Sequence, residues 1–371
     1  MRKHPTILGI ETSCDETAAA IVKNHQVIAE KTTVQILHEQ YGGVVPELAS
    51  RAHERLLMNV VTCTMRDAKL DFTDIDGIAV TYGPGLVGSL LVGISLAKGL
   101  AISIDKPLIG VNHIEGHLWS CDLSDERPSM PFLALIVSGG HTLLVKVIEF
   151  GHYEYLGGTR DDAVGELLDK TGRMMGFGFP AGADIDRAAA LNTNSPVMFP
   201  RSKMKDDQFG FSFSGLKTAV LYYLRDHYSK STEQNGGFYA GAFDIPVKDR
   251  NLICKGLMEA VSDMLIGGIK NALDQFNLNE LVVCGGVSAS KFLRNKISHF
   301  AESKAVKLYV PPVKYSTDNG AMIANVGSYL YQNSNLSGFE LTVNPGLKLT
   351  DSCDSADFRL MTLDMRPTND F

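Results

Sequence analysis

A short apolar run, a polar turn and a second apolar run open the chain, and the same arrangement returns past residue 130. Residues 6–10 read as a strand, 11–17 as a polar turn and 18–22 as a second strand. Residues 132–137 then read as a strand, Ser138-Gly139-Gly140-His141 as a tight turn and 142–148 as a strand. Each unit is followed by further strands and helices, so the spacing is far too long for a solenoid. It suits an α/β protein of two lobes built on duplicated strand–turn–strand cores, each offering one turn to a central cleft. Strand-like runs recur throughout and exclude a simple helix bundle.

The remaining periodicity fills in the lobes. Helices are expected at 50–68, 87–104 and 113–121, the last with Asn112 as its N-cap. Further helices are expected at roughly 161–175, 182–191, 214–228, 248–275, 288–300 and 316–331. Strands are expected at 77–81, 108–111, 281–284 and 306–310. From about residue 338 the periodicity fades, and a loosely held tail is expected. The division is therefore 1–130 for the first lobe, 131–337 for the second and 338–371 for the tail, with the last helix free to pack back on the first lobe. A chain of 371 residues is long enough for two such domains and a large core without a disulfide or metal staple.

Composition narrows the chemistry. Apolar residues at 44% and charged residues at 21% are ordinary for a globular protein and exclude disordered, collagen-like and coiled-coil chains. A net charge of −7 argues against nucleic-acid binding through the overall field, and leaves only a local basic patch. The best patch is Arg201-Ser202-Lys203-Met204-Lys205, ahead of Lys291/Arg294/Lys296 and Lys304/Lys307; solvated faces are the plainer reading of all three. Six cysteines, scattered and never as CxxC, point to a reducing compartment. The first residues fail as a signal peptide because Glu11 and Asp15 interrupt any apolar core, and 87–104 is too short and too broken by Lys98 for a membrane span. A cytoplasmic protein is expected.

Glycine is the one surplus, 35 residues against a usual ~7%. Gly83-Pro84-Gly85, Ser138-Gly139-Gly140, Gly157-Gly158 and Gly285-Gly286 lie mostly at strand ends. There a missing Cβ lets backbone N–H groups approach a phosphate, although each cluster alone is also an ordinary tight turn. Neither GxxxxGK[ST] nor a Rossmann GxGxxG is present.

His113-Ile114-Glu115-Gly116-His117 places two imidazoles at i and i+4 on one helical face, a spacing that suits a shared metal ion. Ten histidines yield about 0.3 such pairs by chance, so a pair of core histidines is the competing reading. A zincin carries its acid in the second place of HExxH; here Glu115 is third, about 200° from His113, and faces away. Carboxylates in polar or glycine-flanked settings are Glu11, Asp15, Glu16, Asp161, Asp162, Asp169, Asp184, Asp186 and Asp318. Asp318 reads first as a helix cap and second as an oxygen ligand. No GxSxG and no reactive-cysteine signature occurs, and Cys14 has nothing beside it that marks a thiolate.

Six motifs in order carry a resemblance. They are 9–17 (Gly-Ile-Glu-Thr-Ser-Cys-Asp-Glu-Thr), the stretch 38–53 with Tyr41-Gly42-Gly43-Val44-Val45-Pro46-Glu47, and Gly83-Pro84-Gly85-Leu86. His113 to His117, Val137 to Thr142 and Phe211-Ser212-Phe213-Ser214-Gly215-Leu216-Lys217 complete the set. Over about 6–332 the chain resembles the TsaD-like tRNA N6-adenosine threonylcarbamoyltransferases, once labelled O-sialoglycoprotein endopeptidases. The resemblance implies the actin/Hsp70/sugar-kinase-like (ASKHA) fold. It implies transfer of a threonylcarbamoyl group from threonylcarbamoyl-adenylate to the N6 amine of adenosine 37 in tRNAs that read ANN codons. It also implies one divalent metal on His113, His117 and Asp318, with Fe2+ favoured over Zn2+, and an adenylate or nucleotide in the cleft. Donor contacts are implied for Ile136, Val137, Ser138, Gly139, Gly140, Asp169, Gly182 and Asp186. The family usually reads Gly-Gly-Val-Ala-Ala-Asn where this chain has Gly285-Gly286-Val287-Ser288-Ala289-Ser290, so Ser290 stands as the substrate-binding candidate in place of an asparagine, its shorter side chain losing the contact or making it through water; Ala183 stands where a proline is common. Asp15 and Glu16 on the facing turn are candidates for the general base. The implied partners are tRNA, bound weakly by the chain alone, a paralogous TsaB-like protein and a TsaE-like ATPase, with no membrane. An ATPase or kinase on the same cleft and a metallopeptidase are the alternatives; a non-catalytic scaffold fits the density of motifs least.

Overall fold

A computed structural model describes residues 2–124, 126–191, 195–202, 204, 207–229 and 242–352. Lys203 and Lys205 of the expected basic patch, Cys353 and the last part of the expected tail lie outside these residues.

Two five-stranded sheets repeat one topology. In the first, β1 (Thr6–Glu11) pairs antiparallel with β2 (Glu16–Lys23), which pairs antiparallel with β3 (Gln26–Val34). On its other side β1 runs parallel to β4 (Gly77–Gly83), and β4 runs parallel to β5 (Leu108–Asn112). In the second, β6 (Phe132–Val137), β7 (Thr142–Glu149) and β8 (His152–Gly158) form the same meander. There β9 (Glu280–Cys284) and β10 (Lys307–Tyr309) take the places of β4 and β5. The expected duplication is therefore real at the level of hydrogen-bonded order, and β3 and β8 extend each unit by a third antiparallel strand.

Helices cover the sheets. Pro46–Ala68 (α1) and Val87–Ser103 (α2) pack on the outer face of the first sheet through Leu57, Val61, Ile94 and Ala97. His113–Trp119 (α3) follows β5. Val164–Met174 (α4), Gly182–Ala190 (α5), Ser214–His227 (α6), Val247–Phe276 (α7) and Lys291–Ser303 (α8) build the second lobe. The last helix, Gly320–Gln332 (α9), lies with α3 between the sheets, in a core that includes Ile7 and Val111 of one sheet and Phe132 and Ile136 of the other. Small residues make that approach possible. A Cβ on Gly9 would sit 2.4 Å from the Ala324 nitrogen and from the Gly320 oxygen, and one on Gly327 would sit 2.5 Å from Ala79 Cβ. Among the described residues no helix is long and apolar enough to cross a membrane.

The expectation of a loose tail is corrected for residues 338–352. Ser337 N donates to Leu108 O on the open edge of β5 (2.9 Å), and Asn344 N donates to Tyr82 O (2.8 Å). Leu341 and Val343 join the outer core of the first lobe, and Leu347 and Leu349 are buried. Lys348 O accepts from Asn112 Nδ2 at 3.0 Å, so this strap also braces the entry to α3. Apolar residues without periodicity suffice here because the sheet edge and the loop ends supply the hydrogen bonds.

Candidate metal centre and cleft

The centre begins at a helix start. As expected, the side chain of Asn112 caps α3, its Oδ1 accepting from Ile114 N at 2.9 Å and Glu115 N at 3.4 Å. His113 and His117 follow one turn apart with ring centroids 4.7 Å apart, edge to face. Asp318 reaches them from the turn before α9. Its Oδ1 lies 3.6 Å from His113 Nε2 and 3.0 Å from His117 Nε2. The capping role first read for Asp318 is taken by its neighbour: Asn319 Oδ1 accepts from Met322 N at 2.9 Å, which leaves Asp318 free to face the histidines.

This trio fits a metal ion. One ligand atom from each of the three side chains lies within 4.8 Å of the others. His117 is fully buried, yet neither ring nitrogen has a hydrogen-bond partner among the described residues. Its close approach to Asp318 is not aligned as a hydrogen bond, as expected of two ligands that face a shared ion. Two imidazoles and a carboxylate are the donor set that Zn2+ and Fe2+ accept.

His113 has a second hold. Its Nδ1 donates to Glu11 Oε2 at 3.1 Å, with Ser13 Oγ 3.2 Å away. Glu11 Oε1 accepts from Ser13 N and Oε2 from Thr81 Oγ1, both at 2.5 Å. A carboxylate behind a histidine fixes the tautomer that leaves Nε2 free for a metal. Burial pulls the His113 ring down, but Asp318 and Glu11 outweigh it and push it up to about 9. Burial raises Glu11, and His113 brings it back below the ordinary value. Replacing Glu11 by Gln sets an amide N–H in this arrangement, and an apparent metal affinity ten to a hundred times weaker is expected by chelator competition, roughly the usual cost of such a partner.

Glu115 faces the other way, as its angular position required. It is buried, and its Oε1 accepts from the Tyr153 hydroxyl at 2.5 Å. It cannot serve as the base of a metallopeptidase on this centre.

The glycine turn of the second lobe lies at the end of β6. Ser138 N donates to His141 O (2.8 Å), and His141 N donates to Ser138 Oγ (3.2 Å). Gly139 and Gly140 are exposed, and a Cβ on either would meet nothing within 4 Å. The turn is seated on α4: Gly165 N donates to Ser138 O and Glu166 N to Gly139 O. Gly165 itself must lack a side chain, because its Cβ would lie 2.6 Å from Gly139 Cα. Burial, with His113 and His117, holds His141, the last residue of this turn, down at about 4. Ile136 and Val137 are fully buried, so their side chains support the turn and cannot touch a donor.

Asp169 Oδ1 accepts from Ala181 N at 2.8 Å. Burial raises its carboxyl, Ala181 and Arg173 oppose this, and Asp15 on the facing turn raises it again. Arg173 also donates to Gly42 O, joining α4 to the loop before α1. Gly182 opens α5, and Asp186 on α5 accepts from Lys291 N (3.1 Å), Phe292 N (3.0 Å) and the Ser290 hydroxyl. Ser290 Oγ in turn accepts from Leu293 N at 3.1 Å. Asp186 and Ser290 thus meet as one double cap on α8. Asp161 caps α6 through Phe213 N, Ser214 N and two hydroxyls, Asp162 binds Lys170 and Lys217, and Asp184 pairs with Arg187. Burial drives the Cys14 thiol well up, so no thiolate forms there.

The histidines of the second motif are supports. Thr17 Oγ1 bonds His53 Nδ1 at 2.8 Å, and His53 Nε2 donates to Cys14 O at 2.9 Å, which fixes the turn that carries Asp15 and Glu16.

The model of the family described as TsaD, tRNA N6-adenosine threonylcarbamoyltransferase, matches residues 26–325. The chain belongs to the TsaD family. A relative of that name from Salinibacter ruber is 46% identical over 344 residues, 92% of this chain and 99% of its own. Another from Dictyoglomus turgidum is 43% identical over 345 residues, 92% and 98% of the two chains. The TsaD fold is the ASKHA fold. Component A of the Acidaminococcus fermentans (R)-2-hydroxyglutaryl-CoA dehydratase superposes with a TM-score of 0.52 at 14% identity, over 89% of this chain and 99% of that one. HypF from T. kodakarensis gives 0.56 at 13% identity, over 92% of this chain and 49% of that one. Membership of the TsaD family makes the protein a transferase.

Proposed function

We propose that the protein transfers the threonylcarbamoyl group of threonylcarbamoyl-adenylate to the N6 amine of adenosine 37 in tRNAs that read ANN codons. The convergence of His113, His117 and Asp318 close to an open glycine turn carries this reading. A divalent ion, Fe2+ before Zn2+, would be held by those three side chains and would supply Lewis acidity and a template for donor oxygens. The N–H groups of Gly139 and Gly140, in the turn that Ser138 closes, cradle the adenylate phosphate, and Asp169 with the Gly182 turn binds donor hydroxyl or amino groups. Asp186 acts with Ser290 through the α8 cap. N6 attacks the carbonyl carbon of the mixed anhydride, the bond from that carbon to the phosphate oxygen breaks, and AMP departs. The N6 proton passes to the Asp15/Glu16 pair on the facing turn. Orientation and charge stabilisation do most of the work on so activated a donor.

The lobes 1–130 and 131–337 enclose this cleft, and the protein works in the cytoplasm. The expected TsaB-like partner suits the outer face of α1 and α2, where Met58, Val87 and Leu91 are exposed, and a TsaE-like ATPase serves the assembly. With a net charge of −7 the chain alone binds tRNA weakly, and tight binding at physiological salt would contradict this. The test is mass spectrometry of tRNA nucleosides after incubation with threonine, bicarbonate, ATP and the adenylate-forming enzyme, with and without the partners. N6-threonylcarbamoyladenosine is expected with the partners; its absence from every mixture overturns the reading.

A further inference from the structure

We propose that the Tyr153 hydroxyl and the Glu115 carboxyl are positioning groups of the metal centre, holding α3 so that His117 presents its Nε2 toward His113 and Asp318. This rests on the metal reading above.

The two histidines are held unequally. His113 is anchored by Glu11, whereas His117 has no hydrogen-bond partner on either ring nitrogen among the described residues. Apart from its approach to Asp318 and its edge contact with His113, the placement of its ring depends on the backbone of α3. That helix has seven residues, too short to be stable by itself.

Its other face is tied to the second sheet through one oxygen. Tyr153, on β8, donates to Glu115 Oε1 at 2.5 Å; its oxygen accepts from Trp119 Nε1 at 2.8 Å and from Gly151 N at 3.0 Å. A phenol has a single proton, and with two donors already aimed at its oxygen that proton goes to Glu115. Glu115 and Trp119 are four residues apart, as His113 and His117 are, on the opposite side of the helix. One hydroxyl thus fixes both turns. The side toward α9 is closed by packing: a Cβ on Gly116 would lie 2.9 Å from Ile323 Cδ1, and Asn325 Nδ2 donates to Trp119 O at 3.0 Å. Glu115 and Tyr153 are both buried and touch neither ligand atom, so their influence passes through the helix.

The full chain and its Tyr153→Phe, Glu115→Leu and Glu115→Gln variants would be titrated with Co2+ and Zn2+ under chelator competition, with visible Co2+ spectra and thermal melts. Tyr153→Phe and Glu115→Leu are expected to bind ten to a hundred times more weakly, roughly the range for groups that orient ligands, with altered Co2+ bands. Glu115→Gln keeps an oxygen acceptor for the phenol and is expected to bind as the parent does. Glu115→Leu also leaves the buried Tyr153 hydroxyl without its acceptor, so its melting point is expected to fall as well; the altered Co2+ bands of the folded variant, and their restoration in Glu115→Gln, are what a purely structural role would not produce. Parent-like affinity and spectrum in both Tyr153→Phe and Glu115→Leu overturn the proposal, whatever their melting points. Should the parent bind no better than His113→Ala, the metal reading itself fails and the proposal falls with it.

Discussion

Changing His113 or Asp318 to alanine is expected to abolish stoichiometric metal binding and to cut tRNA modification by about a thousandfold or more. The magnitude follows from the several kcal/mol that a bound ion contributes to charge stabilisation, at 1.36 kcal/mol, roughly, for each tenfold in rate. Neither change should unfold the chain. His113 is buried but lies at the cleft, and Asp318 is 19% exposed and caps nothing. The measurements are elemental analysis of the purified variants and nucleoside mass spectrometry with partners present. If both variants keep their metal and modify tRNA at the parent rate, the centre is misassigned.

The second large effect is one of packing. A valine at Gly9 would push its Cβ into the backbone of α9, 2.4 Å from both Gly320 O and Ala324 N. Backbone cannot turn aside as a flexible side chain can, so α9 must lift off the sheet. The cost is expected at the upper end of overpacking, about 3 kcal/mol or more, which for a chain of 371 residues lowers the melting point by roughly four degrees or more. Because Asp318 stands just before α9, metal affinity is expected to fall as well. Gly267→Ala on α7 is the control: its Cβ would meet nothing within 4 Å, and a gain of about 0.5–1 kcal/mol is expected from the helix interior. Equal melting points for the parent and Gly9→Val would show that the helix does not depend on this contact.

Much of this architecture is written in local pattern. The apolar runs of β1 and β6, the polar turns after them and the Asn112 cap are short-range features, and each appears where its residues place it. The strand β3 is not visible in this way. It is an edge strand of half-buried and exposed residues, whose apolar run is only Val27-Ile28-Ala29 before Glu30 and Lys31. Glu11 was one carboxylate among nine until the fold set it beside His113, because nothing local joins a strand residue to a histidine a whole sheet away. The choice between Asp318 and Asn319 as the α9 cap is likewise decided by tertiary contact, since both residue types cap well. Ser290 is the reverse case. The serine at 290, where the resemblance implies an asparagine, can be read from the sequence, while the double cap it forms with Asp186 depends on α5 and α8 meeting.

The origin of the three ligands has a consequence for biosynthesis. Two come from the first lobe and the third from the turn before α9, near the end of the second, so the three candidate ligands join chain segments separated by most of the second lobe. During translation the histidines emerge long before the aspartate, and at that stage they are only two-thirds of a site. If these three hold the ion, its capture would wait until Asp318 and α9 have been made and have packed between the sheets. Closing so long a loop is entropically expensive, and an ion that bridges its ends would favour the completed chain over every shorter one. Occupancy of the centre would then report that synthesis and folding have both finished, and a chain released early would carry no metal and no activity.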